Sequence, residues 1–225
     1  VNIVQIAGVL DAADARAIVD AGADWIGFPF GLDHHPEDLP PDEAAAIIRE
    51  LPAAVRPLLI TYLAEPAAVI SLAEALGVTA VQLHGQVTVA DVMELRRLRP
   101  GWLLLKSLVV GRDDPGEART YAPFADAFLT DTYDPATGAS GATGRTHDWR
   151  VSAQLARQLA RPLVLAGGLT PGNIAEAIAV VRPWGVDAHT GVEAATGRKC
   201  PRRLMEFVAG ARRAWREAAV SPSRS

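Results

Sequence analysis

The residues best equipped for chemistry fall into three groups. One aspartate, Asp131, ends an apolar run and opens a glycine-rich loop, and a lysine, Lys106, sits in another apolar run. The five histidines are His34, His35, His84, His147 and His189. A carboxyl enclosed beside a loop that can close over it is a candidate proton donor. Imidazoles titrate near neutrality and are the commonest general bases. Lys106 is a candidate cation for a developing oxyanion or, if desolvated, a Schiff-base amine. The third group is glycine: Leu163-Val-Leu-Ala-Gly-Gly-Leu-Thr-Pro-Gly-Asn173, then Gly185-Val-Asp-Ala-His-Thr-Gly-Val-Glu193. Each reads as a buried strand running into glycines, the first then entering a helix with Thr170 as N-cap and Pro171 at the first helical position. Without a Cβ, backbone N–H groups approach an anion closely, and a helix start adds partial positive charge. Gly167, Gly168, Thr190 and Gly191 are therefore the expected phosphate clamp.

These groups must be held by something regular, and short apolar runs alternate with Ala-rich amphipathic stretches along the whole chain. Strands are expected at Asn2–Ala7, Trp25–Phe28, Pro57–Tyr62, Ala80–His84, Trp102–Leu108, Ala127–Asp131, Pro162–Ala166 and Gly185–His189. Helices are expected at Ala12–Ala21, Pro41–Leu51, Glu65–Leu76, Val89–Arg99, Pro115–Tyr121, Trp149–Leu159, Pro171–Val180 and Pro201–Ala218. Such a series builds either a closed (β/α)8 barrel or an open doubly wound sheet. The first strand lacks a Gly-x-Gly-x-x-Gly turn and the anion turns follow the last two strands, which selects the α/β (β/α)8 TIM barrel, residues 1–220, as one domain. Position at the strand ends then nominates Ala7, Phe30, Tyr62, His84, Lys106, Asp131, Gly167 and His189 as the mouth. The loop Thr132–Thr146 reads as a lid, carrying Gly141, Gly144 and Arg145, and residues 221–225 as a frayed tail.

With 225 residues, 49% of them hydrophobic, the chain can bury one sizeable core. A net charge of −4 and a pI near 5.7 argue against nucleic acid or an anionic membrane as partner and leave a small phosphorylated metabolite. The single cysteine, Cys200, allows no intrachain disulfide, and no run of 18 apolar residues is present, so a cytoplasmic monomer or homodimer is expected. A metal at His34, His35 and Asp38 has no recognised ligand spacing, and neither metal nor cofactor is expected.

Several stretches together resemble the phosphoribosylanthranilate isomerase family over nearly the whole chain. They are Gly22-Ala-Asp-Trp-Ile-Gly-Phe28, Val81-Gln-Leu-His-Gly85, Leu129-Thr-Asp-Thr132, Ser140-Gly-Ala-Thr-Gly-Arg-Thr146 with Asp148-Trp149, Ala166-Gly-Gly-Leu169, and Gly185-Val-Asp187 with Gly191-Val-Glu193. The resemblance implies a cofactor-free Amadori rearrangement that opens an N-ribosyl amine 5-phosphate, with Asp131 as acid. It also implies that His84 belongs to a shared segment and that Lys106 plays an electrostatic role.

Two departures stand against it. Where the family opens with Lys-Ile-Cys-Gly and uses the thiol as base, this chain has Gln5-Ile-Ala-Gly8, leaving a methyl at Ala7. Cys200, at the start of the last helix, is no positional replacement. The family's arginine after strand two is also missing: no Arg or Lys lies between Arg16 and Arg49, and the loop contains His34 and His35 instead. His189, on the strand beside strand one, is the leading substitute base. The sequence thus favours an isomerase on a phosphorylated ribosyl amine or related sugar with a rewritten aglycone half. Second comes a residual phosphoribosylanthranilate isomerase, and third a non-catalytic phosphosugar binder. A lyase or cyclase variant of the first fits the same residues.

Overall fold

The computed structural model describes residues 2–31, 39–110, 112, 113, 115–132 and 146–220. It is a closed barrel in which eight parallel strands pair in sequence order and β8 returns to β1. The strands are β1 (Ile3–Ala7), β2 (Trp25–Phe30), β3 (Arg56–Thr61), β4 (Ala80–Leu83), β5 (Leu103–Val109), β6 (Ala127–Asp131), β7 (Leu163–Leu165) and β8 (Gly185–Ala188). The helices are α1 (Ala12–Asp20), α2 (Pro41–Arg49), α3 (Pro66–Leu76), α4 (Val89–Leu98), α5 (Pro115–Tyr121), α6 (Trp149–Gln158), α7 (Ile174–Val181) and α8 (Pro201–Val220). Every expected strand and helix is present, with bounds shifted by a few residues at most. The tail at 221–225 lies outside the described residues.

Local chemistry explains the element ends. Asp11 caps α1 by accepting from Ala13 and Asp14 N–H, and Thr88 with Asp91 forms a capping box on α4. Gly77, at φ +74°, ends α3 in the left-handed region. One expectation fails: Thr170 does not cap α7, and Pro171 is not its first residue. The helix starts at Ile174 with Asn173 before it, because Thr170 C=O accepts from Asn173 and Ile174 N–H and so closes a separate turn. The Asn173 side chain staples that turn, accepting from Thr170 N–H at 2.8 Å and donating to Gly168 C=O at 2.9 Å.

Side-chain alternation along the strands sorts the core into two layers. Ala7, Leu58, Ile60, Leu105, Leu129, Val164 and Ala166 fill the barrel interior. Val4, Ile6, Phe28, Phe30, Leu104, Leu108 and Phe128 face the helices. At the N-terminal end, Asp24 accepts from Val4 N–H and from Arg212 of α8, at 2.6 Å each. Asp126 accepts in the same way from Leu104 N–H and Arg96. These clamps lie at the end of the barrel that stabilises, opposite the mouth.

Candidate active site

Strand order and alternation bring Asp131, His84, Gly167 and His189 to the mouth. Asp131 is buried; its Oδ2 lies 3.1 Å from His84 Nδ1 and its Oδ1 accepts from Thr132 N–H at 2.8 Å. Deeper in the barrel, Gln5 Nε2 donates to Gln82 Oε1 at 2.8 Å, which turns the Gln82 amide so that its Nε2 faces His84 Nε2 at 2.7 Å. An amide nitrogen only donates, so His84 accepts at Nε2 and carries its proton at Nδ1, aimed at Asp131. Tyr62 stacks on the His84 ring, centroids 5.2 Å apart.

The two glycine turns touch. A Cβ on Gly191 would stand 1.8 Å from Leu169 C=O, so only glycine lets the 3-10 turn Thr190–Val192 pack against the turn after β7. Gly167, at φ +97°, lies against Thr132, whose Cγ2 would be 2.5 Å from an added Cβ. Gly167, of the expected phosphate clamp, thus lies against the residue that follows Asp131, and Gly191 lies against the turn after β7.

His189 reaches the end of β1: its Nε2 would be 2.2 Å from a Cβ on Gly8, the residue after Ala7. The same nitrogen lies 3.4 Å from Glu193 Oε1, and Glu193 is held by Lys199 at 2.7 Å. His147 packs its Nδ1 toward Gly167 while Nε2 meets Ser152 Oγ at 2.5 Å. Burial holds the His147 imidazole below its ordinary pKa, against the nearby charges of Asp131 and Asp148.

Two nominated mouth residues point elsewhere. Phe30 and Lys106 have the outward register, Phe30 into the helix-facing core and Lys106 between Leu104 and Leu108. Lys106 is also not a strand end, since β5 continues to Val109. Its ammonium donates to Ser107 C=O at 2.8 Å and Gly85 C=O at 3.3 Å and lies 5.6 Å from the Tyr121 ring centroid. Burial lowers its pKa, while the charges of Asp113 and Asp131 oppose that.

His34, His35, Gly141, Gly144 and Arg145 lie outside the described residues, as does most of the expected lid. Cys200 precedes α8 and accepts from Leu204 N–H in its first turn. Among the described residues no group of three or more His, Cys, Asp or Glu side chains could hold a metal ion, and no helix is long and apolar enough to cross a membrane.

Sequence reasoning passed over Gln5, Gln82, Asp187 and Lys199, all buried. Asp187 faces the interior from β8, in register with Gln5 on β1. Its pKa is pushed up to about 7 by burial, opposed by a Gln5 hydrogen bond, raised further by the Asp131 charge and opposed by Lys199. The missed signal was a polar side chain at an inward position of an otherwise apolar strand: Gln5 on β1, Gln82 on β4 and Asp187 on β8.

Comparison with known proteins supplies the family. The model of N-(5'-phosphoribosyl)anthranilate (PRA) isomerase matches residues 4–210. The chain belongs to the phosphoribosylanthranilate isomerase family. It is 38% identical over 210 residues to N-(5'-phosphoribosyl)anthranilate isomerase 2 of Methanosarcina mazei, covering 91% of this chain and 92% of that one. The crystal structure of the Thermotoga maritima phosphoribosyl anthranilate isomerase superposes with a TM-score of 0.81 at 33% identity, covering 94% of this chain and 99% of that chain. A family structure in complex with reduced 1-(o-carboxyphenylamino)-1-deoxyribulose 5-phosphate gives a TM-score of 0.79 at 30% identity, covering 94% and 99%. The protein is an isomerase, and the reading as a non-catalytic binder falls away.

Proposed function

We propose that this isomerase acts on N-(5'-phosphoribosyl)anthranilate, opening the ribosyl ring and yielding 1-(o-carboxyphenylamino)-1-deoxyribulose 5-phosphate. This reverses the order of the sequence expectation, which put a rewritten aglycone first. The observation that carries it is Asp131, held by His84 and followed by Thr132, which lies against Gly167 of the first glycine turn. A 5'-phosphate held at Gly167, Gly168, Thr190 and Gly191 leaves the sugar ring over the strand ends. The acid, Asp131, gives its proton to the ring oxygen as the C1–O bond breaks, forming an iminium. A base then takes the C2 proton, and the resulting enamine-enol becomes the ketone. Ala7 has only a methyl, so the base is another group, and His189 is the imidazole that lies against the end of β1.

The test is steady-state turnover of N-(5'-phosphoribosyl)anthranilate by the full chain, with Asp131→Asn and His189→Ala beside it. Turnover abolished by the first and lowered by the second is expected. A wild-type protein without turnover removes the reading. One observation favours a second reading, an altered aglycone: the absence of Arg or Lys between Arg16 and Arg49. N-ribosyl amine phosphates without the anthranilate carboxylate, turned over faster than the anthranilate, would establish it.

A further inference from the structure

After β8 the chain does not run straight into α8. His189 precedes the 3-10 turn Thr190–Val192, which brings Glu193, four residues on, back beside it. A short hairpin follows: Ala194 N–H donates to Arg198 C=O at 2.8 Å, Gly197 takes φ +79°, and Lys199 returns as the antiparallel bridge partner of Glu193. Cys200 N–H donates to Val192 C=O at 2.9 Å and closes the loop. A cation, an anion and an imidazole are thereby set in a row at the end of β8.

Lys199, its side chain 2% exposed, donates to Glu193 Oε1 at 2.7 Å and to His189 C=O at 3.3 Å. One ammonium thus ties the carboxylate to the backbone that carries the ring. A buried ammonium is costly unless an anion faces it, so the place of the carboxylate is set by Lys199 whether or not His189 is charged. The same Oε1 lies 3.4 Å from His189 Nε2. Gly8, from the end of β1, gives that edge of the ring its room, since a Cβ there would overlap Nε2. Among the described residues, the other charged groups nearby are Arg203 of α8, which donates to Glu193 C=O, and Arg198, which is engaged with Asp11 and Asp14 at the start of α1.

We propose that Glu193, pinned by Lys199, is the positioning residue of His189: it takes the Nε2–H, so that Nδ1 carries the basic lone pair, and it offsets the imidazolium charge once a proton has been taken. This rests on the functional reading above only for its kinetic arm. A carboxylate accepts and does not donate, so the neutral ring that meets it carries its proton at Nε2. An opposite charge this close favours the protonated ring. Because Lys199 already fixes the carboxylate, nothing has to reorganise when the imidazolium forms, which is what a general base gains from a held carboxylate partner. The C2 proton passes to Nδ1, its electron pair becomes the C1–C2 double bond of the enamine, and Nε2–H stays on the ring. Glu193 makes and breaks no bond to substrate.

The test has two arms on the full chain. In the ligand-free arm, heteronuclear NMR of the imidazoles across pH reads tautomer and titration midpoint, His189 being assigned by its absence from His189→Ala. The wild type is expected to hold the Nε2–H tautomer, and Glu193→Gln to titrate lower by roughly half a unit to one unit, with Glu193→Asp in between. In the kinetic arm, the acid limb of kcat/KM is expected to move to lower pH by the same displacement in Glu193→Gln, with plateau kcat down roughly tenfold and KM little changed. In the His189→Ala background the same substitution is expected to cost nothing further. An Nδ1–H tautomer in the wild type, a His189 midpoint unmoved by Glu193→Gln, or a fall in kcat with an unmoved acid limb overturns the proposal. Should Glu193→Gln fail to fold, the wild-type tautomer and the midpoint in Glu193→Asp decide instead. A wild type without turnover defeats the functional reading alone, and the NMR arm then decides the proposal.

Discussion

The inner and outer faces of one barrel wall each bury an ionisable group, and they treat it differently. On the outer face, Lys106 has two carbonyls and an aromatic ring around its ammonium. On the inner face, Asp187 is left with an oxygen that finds no donor among the described residues. A buried charge with its partners in place is a structural element, whereas a buried acid short of a partner has its proton equilibrium displaced toward the neutral range. We therefore place the chemistry on the inner face, an assignment that can be broken by mutation.

The largest expected effect is at Asp131. Asp131→Asn keeps an oxygen to accept from His84 Nδ1–H and loses the ionisable proton, so kcat should fall by about 10²- to 10⁴-fold with little change in melting temperature. Steady-state kinetics beside a thermal melt reads both. Activity kept within a few fold would move the acid off β6 and leave the inner face without its main duty.

Asp187 offers the next largest effect, on stability. Its folded pKa of about 7 lies above the ordinary 3.8, so between those values the native state binds more protons than the unfolded state. The contribution is fully present below about pH 3.8 and is lost as pH rises through about 7. The whole change is on the order of 4 kcal/mol for a shift of this size, as an upper bound. Denaturant titrations of the wild type and Asp187→Asn should diverge across that window, with the variant flat where the wild type declines. Parallel curves would show that the carboxyl is not held protonated.

How much of this was legible in the sequence follows from the same two faces. The eight strand–helix units, the barrel and the place of the glycine turns after its last two strands were readable because hydrophobic period and turn glycines are local signals. The places of Asp131 and His189 at the mouth were readable because one ends its strand and the other directly follows its own. Lys106 and Phe30 were misplaced at the mouth because position along a strand says nothing of side until the register is known, and one residue of slip reverses it. Gln5, Gln82 and Asp187 escaped notice because each is unremarkable alone. What links them is pairing between β1 and β8 and contact across the interior to β4, which no local signal records. The start of α7 was misjudged because Thr170-Pro171 reads as a helix start, while Asn173 closes a turn there first.

A smaller effect is expected where the inner face meets its anion turns. Gly191→Ala places a methyl against Leu169 C=O, which is backbone and cannot swing away. The variant should lose roughly 1–3 kcal/mol of stability by overpacking, and inorganic phosphate should inhibit it more weakly than it inhibits the wild type. A destabilised variant with unchanged phosphate inhibition would separate the packing of these turns from any grip on the ligand.

The smallest effect tests the outer face itself. Replacing a satisfied buried ion by an apolar side chain of similar length is often near neutral, because the lost hydrogen bonds are offset by the desolvation no longer incurred. Lys106→Met should therefore keep kcat/KM within about threefold of wild type and change stability little. A hundredfold fall in kcat at constant KM would mean that the ammonium's field reaches the reacting oxygens through the wall of the barrel. Asp131 is near enough to feel that charge, so the experiment is a fair challenge. In that outcome the outward register would not mark a structural role, and the division of labour between the two faces would have to be drawn by electrostatic reach instead of by side-chain direction.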